Sequence, residues 1–96
     1  MSALIRIVKM EFRPAEIERF LVVFAERRAQ IRAFEGCTHL ALWRDQNNPA
    51  VFFTHSHWDS AAALEAYRHS ALFKSTWALT KPLFAKRAAA WSVNEV

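Results

Sequence analysis

From Ala3 to Phe12 the chain is apolar at Leu4, Ile5, Ile7, Val8, Met10 and Phe12, and only Arg6, Lys9 and Glu11 interrupt the run. Apolar residues on both faces of a period-two repeat predict a strand. Pro14 then opens a helix at a position where its missing N–H costs nothing. Ile17, Phe20, Leu21, Phe24 and Ile31 follow at helical spacing with charges between them, and Gly36 ends the region as a turn residue of unusual φ. Cys37 to Arg44 predicts a second strand. Asp45-Gln46-Asn47-Asn48-Pro49 is dense in the residue types that turns require, and Val51 to Trp58 is a third strand, so the two strands form a hairpin. Asp59-Ser60 supplies a helix N-cap, giving a helix over Ser60 to His69. A second start at Ser70 gives a helix from Ala71 to about Ala85 with a bend near Pro82, and Arg87 to Val96 reads as a closing strand.

The order β-α-β-β-α-β is the split-βαβ, ferredoxin-like arrangement of the α+β class, with helices on one face of a four-stranded antiparallel sheet. If Trp58 faces the helices, alternation places Phe52, Thr54 and Ser56 with it, and Val51, Phe53, His55 and His57 point the other way. That second set is too aromatic for a water-facing sheet. Back-to-back pairing of two sheets in a homodimer would bury it.

Composition sharpens this picture. Ninety-six residues predict one domain, spanning 1–96, and 53% of them are hydrophobic, with eight Phe and four Trp. So much apolar surface in so short a chain points to a ligand pocket, a subunit interface or both. There is one glycine and one cysteine, with no low-complexity stretch or repeat. No apolar run suggests a signal peptide or a membrane span, and a lone cysteine forms no disulfide framework, so a cytoplasmic address is expected. The net charge of +4 is dispersed; Arg27, Arg28 and Arg32 read as a solvated helix face, and no basic stripe with exposed aromatics suggests nucleic acid.

Four features carry candidate chemistry. Trp58 ends the third strand at the junction where helices begin, and Trp77 and Phe73 could wall a pocket beside it. Tyr67 could give or take a proton. His55 and His57 leave one face of their strand, and His39 lies on the neighbouring strand in a register the sequence leaves open. Three such imidazoles can hold a metal or move a proton, but with no nearby carboxylate obvious on that face they read first as interface residues. Cys37 reads as a buried structural thiol, and His69 as a partner of its helix C-terminus.

Glu35-Gly36-Cys37, the Asp45-to-Pro49 turn, Trp58-Asp59-Ser60 with Ala63-Leu64, and Ser70-Ala71-Leu72-Phe73 before a closing strand resemble the antibiotic biosynthesis monooxygenase domain over essentially the whole chain. The resemblance implies a dimeric α+β barrel and, in one branch, oxygenation of quinols or polyketide hydroquinones with molecular oxygen and without metal or organic cofactor. Trp58 is similar to that branch's pocket tryptophan. Thr54 stands where those enzymes carry an asparagine, and Leu64 where they carry a tyrosine, with Tyr67 one turn further on. Histidines that many quinol-oxygenase-like members carry are replaced by Tyr67 and Leu72. In the haem-degrading branch the proximal histidine would fall at about Trp77, whose indole cannot ligate iron, and the first strand lacks that branch's asparagine.

The resulting expectation is a cofactor-independent monooxygenase acting on a small aromatic hydroquinone. Its catalytic candidates are Trp58, Tyr67 and His39, with His39 as base if it shares Trp58's face. Thr54, Leu64, Phe73 and Trp77 are the substrate-binding candidates, with no cofactor and no metal. A non-catalytic ligand-binding barrel and an isomerase or decarboxylase of an aromatic intermediate are the alternatives.

Overall fold

A computed structural model describes residues 3–96. The chain runs β1 (Leu4–Glu11), α1 (Ile17–Arg32), β2 (Cys37–Arg44), β3 (Val51–Trp58), α2 (Ala61–Arg68), α3 (Ala71–Thr80) and β4 (Ala89–Val93). A 3₁₀ turn at Pro14–Glu16 leads into α1. The four strands form one antiparallel sheet in the order β2-β3-β1-β4, the ferredoxin-like topology expected from the element order.

Each boundary has a local cause. Ser60 caps α2 by accepting a hydrogen bond from the Ala63 N–H at 3.1 Å, and Ser70 caps α3 by accepting from Phe73 N–H at 3.1 Å. The third helix stops at Thr80, short of the expected Ala85. Pro82 has no N–H to continue the ladder, and Lys81–Leu83 tighten into a 3₁₀ turn. The last strand spans only Ala89–Val93 because it pairs with β1 alone, from Ile5↔Val93 to Lys9↔Ala89.

Alternation sorts the two faces as expected. Trp58, Ser56 and Phe52 are buried beneath the helices, while His55 and His57 leave the opposite face, opposite Ile7 and Ile5 of β1. Trp43, Trp91 and Val93 on that outer face remain 49%, 48% and 42% exposed, so a large apolar surface lies open on the side away from the helices.

The arginines of α1 do more than solvate a helix face. Arg27 donates to Ser75 Oγ at 2.7 Å and Thr76 Oγ1 at 3.1 Å, tying α1 to α3. Arg32 donates to the Cys37 carbonyl at 2.8 Å, and Arg28 lies over the Phe24 ring. Helical spacing placed these residues on α1 but could not show which neighbouring element each would reach.

Gly36 fixes where α2 begins. Its φ of +90° lies in the region that favours glycine, and its carbonyl accepts from Asp59 N–H at 2.8 Å. A Cβ at this position would stand 2.5 Å from the Ala63 Cβ on α2. Gly36→Ala is therefore expected to cost about 1–3 kcal/mol, from strain and displacement of α2 together. Thermal denaturation would register this as a fall in Tm of several degrees; an unchanged Tm would show that the turn is not under this constraint.

Candidate active site

The interior under the helices is divided. One buried cluster joins Met10, Phe12, Phe20, Phe24, Phe52 and Leu83. A second joins Cys37, Trp58 and Leu64. A cavity of about 310 Å³ lies between them, bounded by Phe20 and Phe24 of the first and by Trp58 and Leu64 of the second. It is at the small end of the usual range for ligand pockets, roughly 300–1,000 Å³, and suits one or two fused rings.

Of the residues expected from the sequence, Thr54, Trp58, Leu64, Tyr67, Phe73 and Trp77 all line this one cavity. Trp58 comes from the end of β3, Tyr67 from α2, and Phe73 and Trp77 from successive turns of α3. Their rings form a continuous rail. Trp58 stacks on Tyr67 at 4.9 Å between centroids, Tyr67 meets Phe73 edge-on at 5.2 Å, and Phe73 stacks on Trp77 at 5.8 Å.

The polar groups divide into committed and free. Trp58 is 1% exposed, and its Nε1–H donates to Ser56 Oγ at 3.0 Å, so its indole is a fixed wall rather than a hydrogen-bond donor to a ligand. Thr76 accepts from Arg27, and Thr80 donates to the Thr76 carbonyl at 2.7 Å. The hydroxyls of Thr54 and Tyr67, by contrast, make no hydrogen bond among the described residues. Burial, and then the neighbouring Cys37, push the Tyr67 phenol up to about 12, so at neutral pH it is a protonated donor and not a base.

His39 does not join them. Its expected role as base required Trp58's face, and the structure places it on the other one. Cys37 pairs with Trp58 and stays under the helices, but His39 pairs with His57, because one extra residue is accommodated between Cys37 and His39. Without that bulge His39 would have met Ser56, on the cavity side. His39 instead packs against His57 and His55 with ring centroids 4.8 and 5.0 Å away. Trp43 stacks on His55 at 4.4 Å. Burial, then His57 and His39, hold the His55 imidazole below its ordinary value, and its Nδ1 is buried without a partner. Among the described residues no group of three His, Cys, Asp or Glu side chains is placed to hold a metal ion. Cys37 is buried, and burial raises its thiol pKa, in keeping with a structural role. His69 ends α2 with its Nε2 3.1 Å from Glu65 Oε1.

Two residues not singled out from the sequence also border the cavity: Arg6 from β1 and Arg68 from α2. Arg6 pairs across the sheet with Ser56 and with Ser92, and donates to Ser92 Oγ at 3.0 Å. It shares its strand face with Val8 and Met10, which also line the cavity. The signal was present in the sequence as one charge in an otherwise apolar period-two row.

These features sit on a widespread scaffold. Among curated proteins, none matches this chain. Solved structures do. A conserved protein from Methanosarcina mazei Go1 aligns with a TM-score of 0.94 at 18% identity, covering 100% of this chain and 95% of that one. A protein described as an antibiotic biosynthesis monooxygenase aligns at 0.91 and 22% identity, covering 97% and 98%. Rv0793 from Mycobacterium tuberculosis aligns at 0.90 and 18%, covering 99% and 96%. At these identities the likeness establishes the fold. The profile of the family described as antibiotic biosynthesis monooxygenase matches residues 3–78, most of the chain, from β1 into α3, and on that match the protein belongs to the antibiotic biosynthesis monooxygenase family.

Proposed function

We propose that the protein is a monooxygenase of small aromatic hydroquinones, working in the cavity under Trp58 without an organic cofactor. The supporting observation is the aromatic-walled cavity into which two unpartnered hydroxyls, Thr54 and Tyr67, are brought from different elements. Family membership supports the reaction class. A ring lying along the Trp58–Tyr67–Phe73–Trp77 rail is shielded from water, and a phenolate there reduces oxygen far more readily than the phenol does. The Tyr67 hydroxyl, held protonated, is suited to donate to the oxyanion that develops on the ring. The reaction balances without an external reductant: a hydroquinone and O₂ give a hydroxyquinone and water. One oxygen atom forms a new C–O bond on the ring, and the substrate's own electrons and two protons reduce the other to water.

A second reading, a binding module that holds such a ring without reacting, is favoured by one observation. No His, Asp or Glu lines the cavity among the described residues, so no ordinary general base faces the ligand. Oxygen uptake with 1,4-dihydroxynaphthalene separates the two. The oxygenase should consume oxygen above autoxidation, and Tyr67→Phe should lower the rate about 100-fold while leaving the fold intact. Ligand binding with no uptake would contradict the oxygenase and leave the binding module.

The outer sheet face belongs to this proposal as the surface that a second copy covers. Trp43, Trp91 and Val93 expose there the kind of apolar area that pairing of two identical sheets would bury. The imidazoles add a pH dependence of defined sign. His55 is held below its ordinary value in the folded chain, so acid favours any state in which it is freed to protonate. Stability from this group is present above about pH 6.5, the ordinary histidine value, and is lost as pH falls below it. His57 and His39 lie on the same face, as does Lys9 further along β1; Glu11 on that face is occupied by Lys86 at 3.8 Å. Sedimentation is expected to give twice the chain mass at pH 7.5, with dissociation or a lowered Tm at pH 5. A monomer at pH 7.5 would contradict the pairing.

A further inference from the structure

Arg6 breaks the pattern of its own strand. The positions of β1 that face the helices include Val8 and Met10, which line the cavity, and Arg6 occupies the same row. Arg6 is half-buried; a guanidinium on a sheet floor loses part of its hydration, and the usual compensation is a carboxylate. No carboxylate touches it: among the described residues Arg6 makes no direct ion pair, and its one side-chain hydrogen bond goes to the neutral hydroxyl of Ser92. Burial lowers its pKa, the nearby Arg68 guanidinium lowers it further, and Glu65 offsets part of this. Arg68 borders the same cavity from α2. Among the described residues, the acid that acts on this pair, Glu65, is shared: its Oε1 lies 3.3 Å from Arg68 Nη1 and 3.1 Å from His69 Nε2. Two cations thus converge on a largely aromatic cavity whose other polar groups are neutral hydroxyls, with one divided carboxylate between them. Such an arrangement is locally unfavourable, and breaches of this kind concentrate where a ligand completes the site.

We infer that the cavity takes an aromatic ligand bearing a carboxylate, with Arg6 on the floor as the anchor of the carboxylate and Arg68 as a second arm. The inference rests on the cavity's being the ligand site and adds the charge of what fills it. A planar carboxylate on a planar ring matches both halves of the cavity. The guanidinium fork donates to it through two parallel N–H···O bonds, and the ring lies along the aromatic rail. The ligand's charge then adds to the one carboxylate that the two guanidiniums share. Because Arg68 is exposed, the charged end of the ligand would face the side from which solvent reaches the cavity, leaving the ring's far edge toward Trp77.

The test compares 2-naphthoate with 2-naphthamide, which share ring and shape and differ in charge, by tryptophan fluorescence and calorimetry. The native protein should bind the carboxylate at least tenfold more tightly, and added salt should erode that advantage. Arg6→Gln should reduce the preference to within about twofold, weakening the carboxylate far more than the amide. Arg68→Gln should reduce it in part. Arg6→Gln should also melt at a temperature equal to or above the native protein's, since it removes a half-buried cation that lies near a second one; this guards against mistaking misfolding for lost recognition. Equal affinity of the native protein for the two ligands would overturn the anion inference and leave the cavity as a binding site. Failure to bind either ligand would overturn the cavity itself as the site, and this inference with it.

Discussion

One extra residue in β2, between Cys37 and His39, decides which chemistry faces which side of the sheet. On the inner side it leaves Cys37 beside Trp58, closing one end of the cavity. On the outer side it gathers His39, His55 and His57 into contact. A strand side chain has only two directions available, so a single inserted residue moves every position beyond it to the opposite face. The cavity consequently holds hydroxyls and guanidiniums, and the imidazoles meet the surface where a second copy is proposed to pack. The Gly36 turn lies immediately before the bulge, and its contact with Ala63 holds α2 in place above the same end of the cavity.

The cavity exists because the core is divided. The Phe12–Phe20–Phe52 cluster fills one end of the space beneath the helices, with the Phe12 and Phe20 rings stacked at 4.1 Å. Trp58, satisfied by Ser56, fills the other. The gap between them forfeits dispersion contacts that a closed core would make, so it is a local cost to stability. Arg6 adds an electrostatic cost at the same place. Both costs fall on the same few residues, and a flat aromatic anion would relieve both at once.

Most of the fold could be read from the sequence because periodicity and capping agree. The serine caps at Ser60 and Ser70, the Asp45-to-Pro49 turn and the apolar runs of the first three strands all lie where expected. The ends that moved did so for tertiary reasons: α3 yields to Pro82, and β4 is only as long as its pairing with β1. Of the site, the aromatic wall was legible because Trp58, Phe73 and Trp77 sit at helix and strand positions that alternation and the helical period assign to the interior. The face of His39 was not, since a bulge carries no signature in residues as ordinary as Cys37-Thr38-His39. Arg6 was missed for a different reason: β1 is apolar on both faces, so its row could be told apart only once the pairing with β3 and β4 was known.

The most direct test is an NMR titration with 1-naphthol under anaerobic conditions, following backbone amides and indole N–H signals at pH 7.5. A ligand seated in the cavity should shift Thr54, Tyr67 and Trp77, with contacts between naphthol protons and the Trp58 and Phe73 rings, and should leave His39 and His55 unmoved. Shifts confined to Trp43, His39 and His55 on the outer face, with the Tyr67 and Trp77 signals unchanged, would contradict the assignment of the site to the space beneath the helices.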